Sequence, residues 1–308
     1  MESLRHQYPV GALTDALEVS KSGFHAHRHK HRRPRRQRDA ALRPLIAESF
    51  ARSRQTYGPL RVRADLRDLG ERCGKNRIGR LLREQGLRPA QKRRFRPKTT
   101  DSRHPHKIAE NWLAKVPAPE RPGMVWQSDF TYIETGEGWL YLAFTLDGCT
   151  RRCVAHHCRE DMSAELATTT FALAAQRQPP PPGLLHHSDR GVQYAADAFA
   201  QLAAAWGVTR SMSRAGNPYD NALAESVAGR LRARPSGCLR QAVSLRSAVA
   251  TLKTECLKGE VPPTRAAARL LFFDYIETFY NPHRRHSALG YRSPLQFEKQ
   301  MFPPNKNH

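Results

Sequence analysis

A pair of apolar, β-rich segments constrains the fold of this chain most strongly. "MVWQSDFTYIE" (residues 124–134) and "WLYLAFTLDG" (139–148) are both rich in aromatic and β-branched residues, and "GEG" at 136–138 can form the turn between them. Two strands joined in this way predict the start of a sheet. The apolar side chains of that sheet must then be covered by other elements of the chain.

The segments that follow alternate between strand and helix patterns. "RRCVAHHC" (151–158) predicts a third strand, and a helix pattern follows at 163–176. Short strands are predicted at 184–189 and 209–213, with a helix at 196–207 between them. A last helix begins near Asn217 and Pro218, a good N-cap and first-turn pair. The order βββαβαβα predicts an α/β fold, with helices packed on a mixed sheet.

Charge separates the chain into two parts. Its 308 residues include 51 Lys and Arg against 28 Asp and Glu, a net charge of +23, and 39% are hydrophobic, which can supply a real core. Residues 1–110 carry a net +17 and residues 111–308 a net +6. This balance predicts a polyanionic partner, nucleic acid rather than a membrane surface. With no 18-residue apolar run and no signal peptide, we expect a soluble intracellular protein.

The basic front part predicts a helix-turn-helix. Leu66 and Leu69 form one short apolar stripe that Gly70 can end, and Ile78, Leu81 and Leu82 form a second that Gly86 closes. We assign residues 1–56 to a basic helical arm, 57–98 to the helix-turn-helix-like region and 99–122 to a Pro-rich linker. The alternative is a basic helical hairpin that reads no sequence. The basic side chains expected to contact DNA here are Arg61, Lys75, Arg77, Arg80, Arg83, Lys92, Arg93 and Arg94.

Two His- or Cys-containing tracts suggest zinc at first sight. "HAHRHKHRRPRRQR" (25–38) has alternating histidines but no thiolate or carboxylate among them, which favours an arm that contacts phosphates or is solvated. "CTRRCVAHHC" (149–158) is the second tract, and the family resemblance described below implies that it is core strand with buried thiols. The six cysteines form no CxxC pair, so neither a disulfide framework nor a zinc ribbon is indicated.

Three acids stand out by position. Asp129 interrupts an apolar strand and Asp189 ends one, and an acid in such a place must be hydrogen-bonded, paired or bound to metal. Asp147 fits a strand-ending turn equally well. On the helix that starts near residue 217, Asp220 and Glu225 lie about 140° apart, so they cannot serve one site from the same face. Glu225 is the better candidate to face Asp129 and Asp189.

Four motifs together resemble a known family. "WQSDFTYI", "HHSDRGVQY", "SMSRAGNPYDNALAES" and "YNPHRRHSALGYRSPLQFE" resemble the OrfB-type transposases of bacterial insertion sequences, members of the DDE/retroviral-integrase superfamily. The 35 residues between Asp189 and Glu225 match the spacing typical of that family. The resemblance spans nearly the whole chain, including the helical region of the front part.

The resemblance implies a fold and a catalytic site. The fold is an RNase H-like integrase catalytic core over residues 123–300, with a mixed five-stranded sheet flanked by helices, followed by a tail at 301–308. Asp129, Asp189 and Glu225 are implied as the catalytic, metal-binding acids. Clustered carboxylates repel one another unless cations neutralise them, and all-oxygen ligands suit Mg²⁺ or Mn²⁺, here as a pair of ions.

The implied function is that of a DNA transposase subunit, which cleaves DNA strands and transfers them in a metal-dependent DDE reaction. Its partners would be insertion-sequence ends, target DNA, further copies of itself and an OrfA product, with no membrane, in the bacterial cytoplasm at the nucleoid. Arg190, Asn221, Arg284 and Arg285 are added as DNA contacts. The alternatives are a catalytically impaired relic or regulator that binds DNA on the same fold, and a metal-dependent nuclease for RNA–DNA hybrids.

One segment departs from the family pattern. "TLKTEC" occurs at 251–256, far downstream of Glu225, which predicts a 21-residue insertion at 227–247. Pro235 inside it should end the helix of Glu225, because proline in a helix interior costs about 3 kcal/mol. A competing register would place Arg246 and Ser247 at the catalytic Glu-Ser position. The continuity of "GNPYDNALAES" favours Glu225, and the insertion is the main reason to question full activity.

Overall fold

The computed structural model describes residues 4, 6–28, 34–89, 108–213 and 252–303. The chain divides into two compact units, Met1–Pro89 and Ala90–His308, each of which is described by itself. The predicted insertion at 227–247 lies outside the described residues.

Helices form the described part of the first unit. Gly70 and Gly86 follow α4 (Pro59–Asp68) and α5 (Lys75–Glu84) with φ of +83° and +69°, the left-handed conformation that ends a helix, as the sequence predicts. Leu66 is fully buried, whereas Leu69 follows the end of α4 and is 55% exposed, so pairing Leu69 with the apolar stripe was wrong. The helices are α1 (Val10–Ala16), α2 (Lys21–Arg28), α3 (Pro34–Arg52), α4 (Pro59–Asp68) and α5 (Lys75–Glu84).

Helix α3 packs with the predicted helix-turn-helix pair. The hydroxyl of Ser49 on α3 donates to the buried carboxylate of Asp65 on α4 at 2.6 Å. Asp39 of α3 accepts from Arg77 of α5 at 2.6 Å. The boundary at residue 56 therefore does not separate a basic arm from the region after it, because α3 supplies part of the same helical core.

A five-stranded mixed sheet organises the second unit. Its strands are β1 (Val125–Thr135), β2 (Gly138–Asp147), β3 (Cys153–Arg159), β4 (Leu185–Ser188) and β5 (Thr209–Met212), in the order β3-β2-β1-β4-β5. β2 pairs antiparallel with both β1 and β3, whereas β4 pairs in parallel with both β1 and β5. The predicted hairpin and the predicted mixed sheet are confirmed.

Helices between the strands supply an apolar core. This core joins Trp126 of β1 to Phe171 of α6 (Ala164–Arg177) and Phe199 of α8 (Asp197–Ala205). The rings of Phe171 and Phe199 meet edge to face, with centroids 5.5 Å apart. The helices are α6 (Ala164–Arg177), α7 (Val192–Ala195) and α8 (Asp197–Ala205), the first and last of them at the predicted places.

The C-terminal segment packs on β2 and β3. Phe144 and Leu146 of β2 line a small cavity together with Leu252, Ile276 and Tyr280 of this segment. Its elements are a π-helical turn (Lys253–Leu257), α9 (Arg265–Asp274), a second π-helical stretch (Tyr275–Tyr280), a 3₁₀ turn (Ser287–Leu289) and α10 (Pro294–Met301).

Part of the predicted linker covers the β5 edge of the sheet. The backbone N–H of Met212 in β5 donates to the carbonyl of Glu110, and the N–H of Leu113 donates to the hydroxyl of Ser211 at 3.1 Å. This contact satisfies an edge strand that would otherwise offer unpaired backbone groups. Within the ranges described above, every helix is too short or too polar to cross a membrane.

Candidate active site

The pairing of β1 with β4 places Asp129 and Asp189 next to each other along the sheet. The two parallel strands are in register at Trp126 with His186 and at Gln127 with His187. Asp129 and Asp189 both lie two residues further on, and neighbouring strands in a sheet are about 4.8 Å apart. The structure therefore brings together the two strand acids that the sequence singles out.

Backbone amides hold both carboxylates. Asp129 Oδ1 accepts from the N–H of Phe130 at 2.8 Å, and Asp189 Oδ1 accepts from the N–H of Gly191 at 3.0 Å. Both aspartates are half-buried, in contrast to the fully buried residues that precede them in β1 and β4. Each carboxylate is thus oriented by the chain and still reaches the surface.

The buried phenol of Tyr194 lies close to both Asp129 and Asp189. Tyr194 of α7 is 2% exposed and stacks on Phe130, with ring centroids 4.5 Å apart. Burial, followed by the negative charges of Asp129 and Asp189, raises the pKa of the Tyr194 phenol well above its ordinary value. Tyr194 therefore stays neutral and lies close enough to both carboxylates to sense their charge.

The absence of a side chain at Gly191 makes room for Asp189. A Cβ at this position would lie 3.0 Å from Asp189 Oδ1 and 2.9 Å from Gln193 Oε1. Gly191 precedes α7 with an ordinary negative φ, so the requirement is for space rather than for an unusual backbone conformation. Sequence reasoning did not identify Gly191, although its place two residues after Asp189 was visible.

A neutral polar network lies beneath the two acids. The Ser128 hydroxyl joins β1 to its neighbours through contacts of 2.8 Å to His186 Nε2 and 2.8 Å to Thr145 Oγ1. His187 Nδ1 lies 2.9 Å from the hydroxyl of Ser211 in β5. Burial, with smaller effects of nearby positive charges, lowers the pKa of His186 to about 3, so its ring is neutral.

This network was missed by sequence reasoning. The signal was present in the strands themselves, since a serine directly precedes each aspartate, Ser128 before Asp129 and Ser188 before Asp189. Buried polar side chains need hydrogen-bond partners, which the neighbouring strands supply to Ser128, whereas the hydroxyl of Ser188 donates to the carbonyl of Asp189.

Arg190 has a backbone partner that the sequence did not predict. Its Nε donates to the carbonyl of Ser213 at 2.7 Å, and the N–H of Ser213 donates to the carbonyl of Ser188 at 3.0 Å. Arg190 thus braces the point where the chain leaves β5. Glu225, which the chain reaches next, and Asn221 lie outside the described residues.

Asp147 is a turn residue. Its carboxylate accepts from the backbone N–H groups of Gly123, Cys149 and Thr150 and from the Thr150 hydroxyl, all within 3.0 Å. Burial raises the pKa of Asp147 despite these donors. The contacts fix the turn between β2 and β3, which agrees with the prediction of a strand-ending turn.

The structure gives no support for zinc among the described residues, where no three His, Cys, Asp or Glu side chains form a metal cluster. Cys153 is buried, and burial raises the pKa of Cys158 to about 12, so both thiols stay protonated. The interpretation of the 149–158 tract as core strand with buried thiols holds for Cys153 in β3, whereas Cys149 is buried in the turn before β3 and Cys158 is only partly buried.

Arg284 requires a correction as a DNA contact. It is 3% exposed, and its guanidinium donates through Nε and Nη2 to the Glu255 carboxylate at 2.6 and 2.7 Å. Tyr275 donates to the same carboxylate at 2.8 Å. Arg284 is therefore enclosed and is not available to a phosphate. Arg285 is half-buried and donates to the carbonyl of Tyr291 at 2.9 Å.

The basic residues of the first unit differ in availability. Lys75 and Arg83 are exposed on α5. Arg77 and Arg80 are less available than expected, because both donate to the carboxylate of Asp39 at 2.6 and 2.7 Å. These contacts, with that of Arg80 to Glu84, lower the pKa values of both acids.

Of the remaining residues predicted to contact DNA in the basic front part, the structure describes Arg61 alone. The guanidinium of Arg61 lies 5.6 Å from the ring centroid of Tyr57, a cation–π contact within the first unit. Lys92, Arg93 and Arg94 lie outside the described residues.

Comparison with known families matches three segments. The family described as "HTH-like domain" matches residues 36–95, and two families described as "Integrase core domain" match residues 119–218 and 247–302. The match at 36–95 includes α3, consistent with its packing on α4 and α5. Residues 219–246 lie between the two integrase matches, a range that contains Glu225 and most of the predicted insertion.

Curated relatives match nearly end to end. The chain is 39% identical over 282 residues to the insertion element IS600 uncharacterized 31 kDa protein of Shigella sonnei, covering 92% of this chain and 96% of that protein. It is 33% identical to the transposase InsF for insertion sequence IS3A of Escherichia coli, covering 97% of each. A solved structure of the HTLV-2 integrase catalytic core domain in complex with magnesium is 13% identical, with a TM-score of 0.37, covering 60% of this chain and 98% of that one.

Proposed function

The chain belongs to the family of insertion-sequence transposases with an integrase catalytic core, and we propose that Asp129, Asp189 and Glu225 are its catalytic acids. Members of this family act in DNA transposition as DDE-type polynucleotidyl transferases. The observation that supports the assignment is the β1–β4 register, which sets Asp129 beside Asp189 on two neighbouring inner strands of the sheet.

The donor set fits a divalent cation. Asp129 and Asp189 offer carboxylate oxygens on adjacent strands, and two such charges close together repel unless a cation lies near them. Oxygen-only ligands suit Mg²⁺ or Mn²⁺, and we propose that Glu225 completes the set for a pair of ions. When bound, such ions supply Lewis-acid activation of a water or a 3′-hydroxyl and stabilise the leaving oxygen.

The chain's own residues prepare this site. The amides of Phe130 and Gly191 fix the orientation of the two carboxylates before metal or DNA arrives. Tyr194 and the neutral His186 add no charge to the floor of the site, so the two aspartates keep their negative field there. Preorganisation of this kind avoids ordering the ligands during the reaction.

DNA binding is assigned to exposed or half-exposed basic residues. Lys75 and Arg83 of α5 are available for phosphate contacts, and Arg61, Arg190 and Arg285 are partly so. Lys92, Arg93, Arg94 and Asn221 stay proposals from the sequence. In this proposal Arg77 and Arg80 form ion pairs with Asp39 and hold α5 against α3. Arg284 is not proposed as a DNA contact, because it is paired with Glu255 in the interior.

The proposed partners are DNA and further copies of this chain. Transposition joins two element ends, so more than one copy is expected on DNA. An OrfA product as partner and a place in the bacterial cytoplasm at the nucleoid are also part of the proposal.

The test is a strand cleavage and strand transfer assay on labelled element ends with Mg²⁺ or Mn²⁺. We expect Asp129→Asn, Asp189→Asn and Glu225→Gln each to lower the rate by at least about a hundredfold, because loss of a residue that only supports a ligand already costs 10- to 100-fold. Asp197→Asn is the matched control, since Asp197 is an exposed acid at the start of α8.

Metal binding is measured separately. Titration of Mn²⁺ followed by electron paramagnetic resonance should show weaker binding in Asp129→Asn and Asp189→Asn than in the control. Full cleavage activity in either variant would overturn the site assignment. DNA binding without any metal-dependent cleavage by the unsubstituted chain would instead favour a relic or regulator, and cleavage confined to RNA–DNA hybrids would favour a nuclease.

A further inference from the structure

The outer side of helix α5 carries an amide side chain that the first unit does not use. At about 100° per residue, the buried Ile78, Leu81 and Leu82 define the inner side of α5, and Asn76 lies on the opposite side. Asn76 is exposed, and its side chain forms no hydrogen bond with the residues that the structure describes. It is not one of the basic residues that the sequence predicts as DNA contacts.

Two neighbouring arginines on α5 are held by acids of the first unit. Arg77 and Arg80 donate to Asp39 of α3 at 2.6 and 2.7 Å, and Arg80 also donates to Glu84 at 2.6 Å. The contacts with Asp39 draw both guanidiniums towards α3, to one side of α5. The outer side therefore presents Asn76, a short amide that can donate and accept hydrogen bonds at once.

Gly79 leaves α5 without a side chain beside Asn76, at the i+3 position. Glycine in a helix interior destabilises the helix relative to alanine, so its presence needs a reason. Among the described residues, a Cβ at Gly79 would meet side-chain atoms of Pro59 alone, at 3.4 Å or more, an ordinary van der Waals contact. Packing within this unit therefore does not require the glycine, whereas close approach of another molecule to α5 does.

Exposed basic side chains lie towards both ends of α5. Lys75 is its first residue and Arg83 its last but one, and both are proposed above as phosphate contacts. In a helix-turn-helix the first residues of the second helix reach base edges in the major groove, while basic side chains fix the helix on the phosphates. Asn76 is the second residue of α5 and so has the place of a base contact.

We infer that Asn76 reads a base of the bound DNA and that this base is adenine. The inference rests on the proposed binding of DNA by the first unit and adds sequence specificity to it. An asparagine amide pairs with adenine in the major groove through two hydrogen bonds, accepting from N6 and donating to N7. Gly79 allows α5 to lie deep enough in the groove for this short side chain to reach.

Selection from a pool of duplexes with a randomised centre tests the inference without metal or cleavage. The full chain is bound at about 0.15 M salt, which weakens attraction to phosphates alone. The unsubstituted chain should enrich a motif that contains a fixed adenine. Asn76→Ala should lower the preference for adenine at that one position by about fivefold or more, the least that a bidentate base contact supplies.

The matched control is Gln37→Ala, which removes an exposed amide from α3 and should leave the motif unchanged. Asn76→Arg should move the preference at the same position to guanine, because arginine pairs with the O6 and N7 atoms of guanine. Circular dichroism melting shows that each variant is folded. An unsubstituted chain that selects no motif, or an Asn76→Ala variant that selects as the control does, would overturn the inference.

Gly79→Ala tests the close approach separately. The substitution should raise the melting temperature, because alanine favours the helix, and should weaken binding of the selected duplex. A variant that is more stable and binds as tightly as the unsubstituted chain would contradict the docking of α5 in the groove. Asp129→Asn should select the same motif as the unsubstituted chain, so failure of the catalytic assignment and failure of the base assignment are distinguishable.

Discussion

Two carboxylate sites in the second unit show how the same chemical group is put to different use. Asp129 and Asp189 are half-buried on neighbouring inner strands of the sheet, and their carboxylates accept hydrogen bonds from backbone amides. Glu255 is 8% exposed and is enclosed by the guanidinium of Arg284 and the hydroxyl of Tyr275. The carboxylates of Asp129 and Asp189 therefore remain accessible from the surface, whereas the carboxylate of Glu255 is ion-paired inside the protein.

The two sites differ in the groups that surround each carboxylate. A buried charge must be paired, and Glu255 meets an arginine that is 3% exposed itself. The charge of Glu255 raises the pKa of Arg284 although burial alone would lower it. Asp129 and Asp189 remain half-exposed instead, so solvent and an approaching ligand can reach their carboxylates.

Breaking the enclosed pair should have the largest effect on stability. Glu255→Gln leaves the Arg284 guanidinium buried without its counter-charge, which should lower the free energy of unfolding by about 3–5 kcal/mol. Chemical denaturation measures the loss. Glu298→Gln is the matched control, because its ion pair with Arg152 is partly exposed and should cost about 1 kcal/mol or less.

The same experiment can contradict the comparison. Replacing both partners, Glu255→Met with Arg284→Met, should restore much of the lost stability, because two apolar residues leave no unpaired charge. A double variant as unstable as the single one would show that packing, and not the charge pair, dominates at this place.

Buried His186, below Asp129 and Asp189, should make the free energy of unfolding depend on pH. The folded state holds His186 neutral down to its pKa of about 3, while the unfolded state binds a proton below about 6.5. Stability should therefore fall as the pH drops from 6.5 towards 3, by up to about 1.4 kcal/mol per pH unit from this residue.

The measurement compares denaturation curves at several pH values with those of His186→Asn. The variant should lose the part of the slope that belongs to His186, while contributions from other groups stay the same. Equal slopes for both proteins would mean that His186 titrates normally and that its burial is not maintained.

A methyl group next to Asp189 should reduce catalysis with little effect on stability. In Gly191→Ala the new Cβ would meet Asp189 Oδ1 at 3.0 Å, so the carboxylate must shift. We expect strand cleavage to fall about tenfold, since a displacement of 1 Å can cost a hundredfold. Gly58→Ala serves as control, because nothing lies within 4 Å of a Cβ there. An unchanged cleavage rate in Gly191→Ala would show that activity does not depend on the position of the Asp189 carboxylate.

The smallest stability effect is expected at the site acid itself. Asp189→Asn keeps an acceptor for the Gly191 amide and removes one of two neighbouring negative charges. The free energy of unfolding should therefore change by less than about 1 kcal/mol without metal, by the same denaturation measurement. A loss as large as that of Glu255→Gln would mean that Asp189 is a structural acid and that the two sites do not differ.

Much of the second unit could be predicted from local pattern. The hairpin of β1 and β2, the helix at 163–176 and the short strands around residues 186 and 211 all follow from periodicity and turn residues. Asp129 and Asp189 stood out because each breaks an apolar strand pattern. The role of Glu255 and Arg284 could not be predicted, because they are 29 residues apart and only packing brings them together.

By itself, the sequence determined the order of the five strands with α6 and α8, the family and the two strand acids. These depend on side-chain periodicity, turn residues and motifs that lie close together along the chain. Tertiary structure decided which charges remain available. It enclosed Arg284 with Glu255, engaged Arg77 and Arg80 with Asp39, and left Asp129 and Asp189 half-exposed. The reason is physical: the environment of a charge depends on what packs around it, and distant segments supply those neighbours.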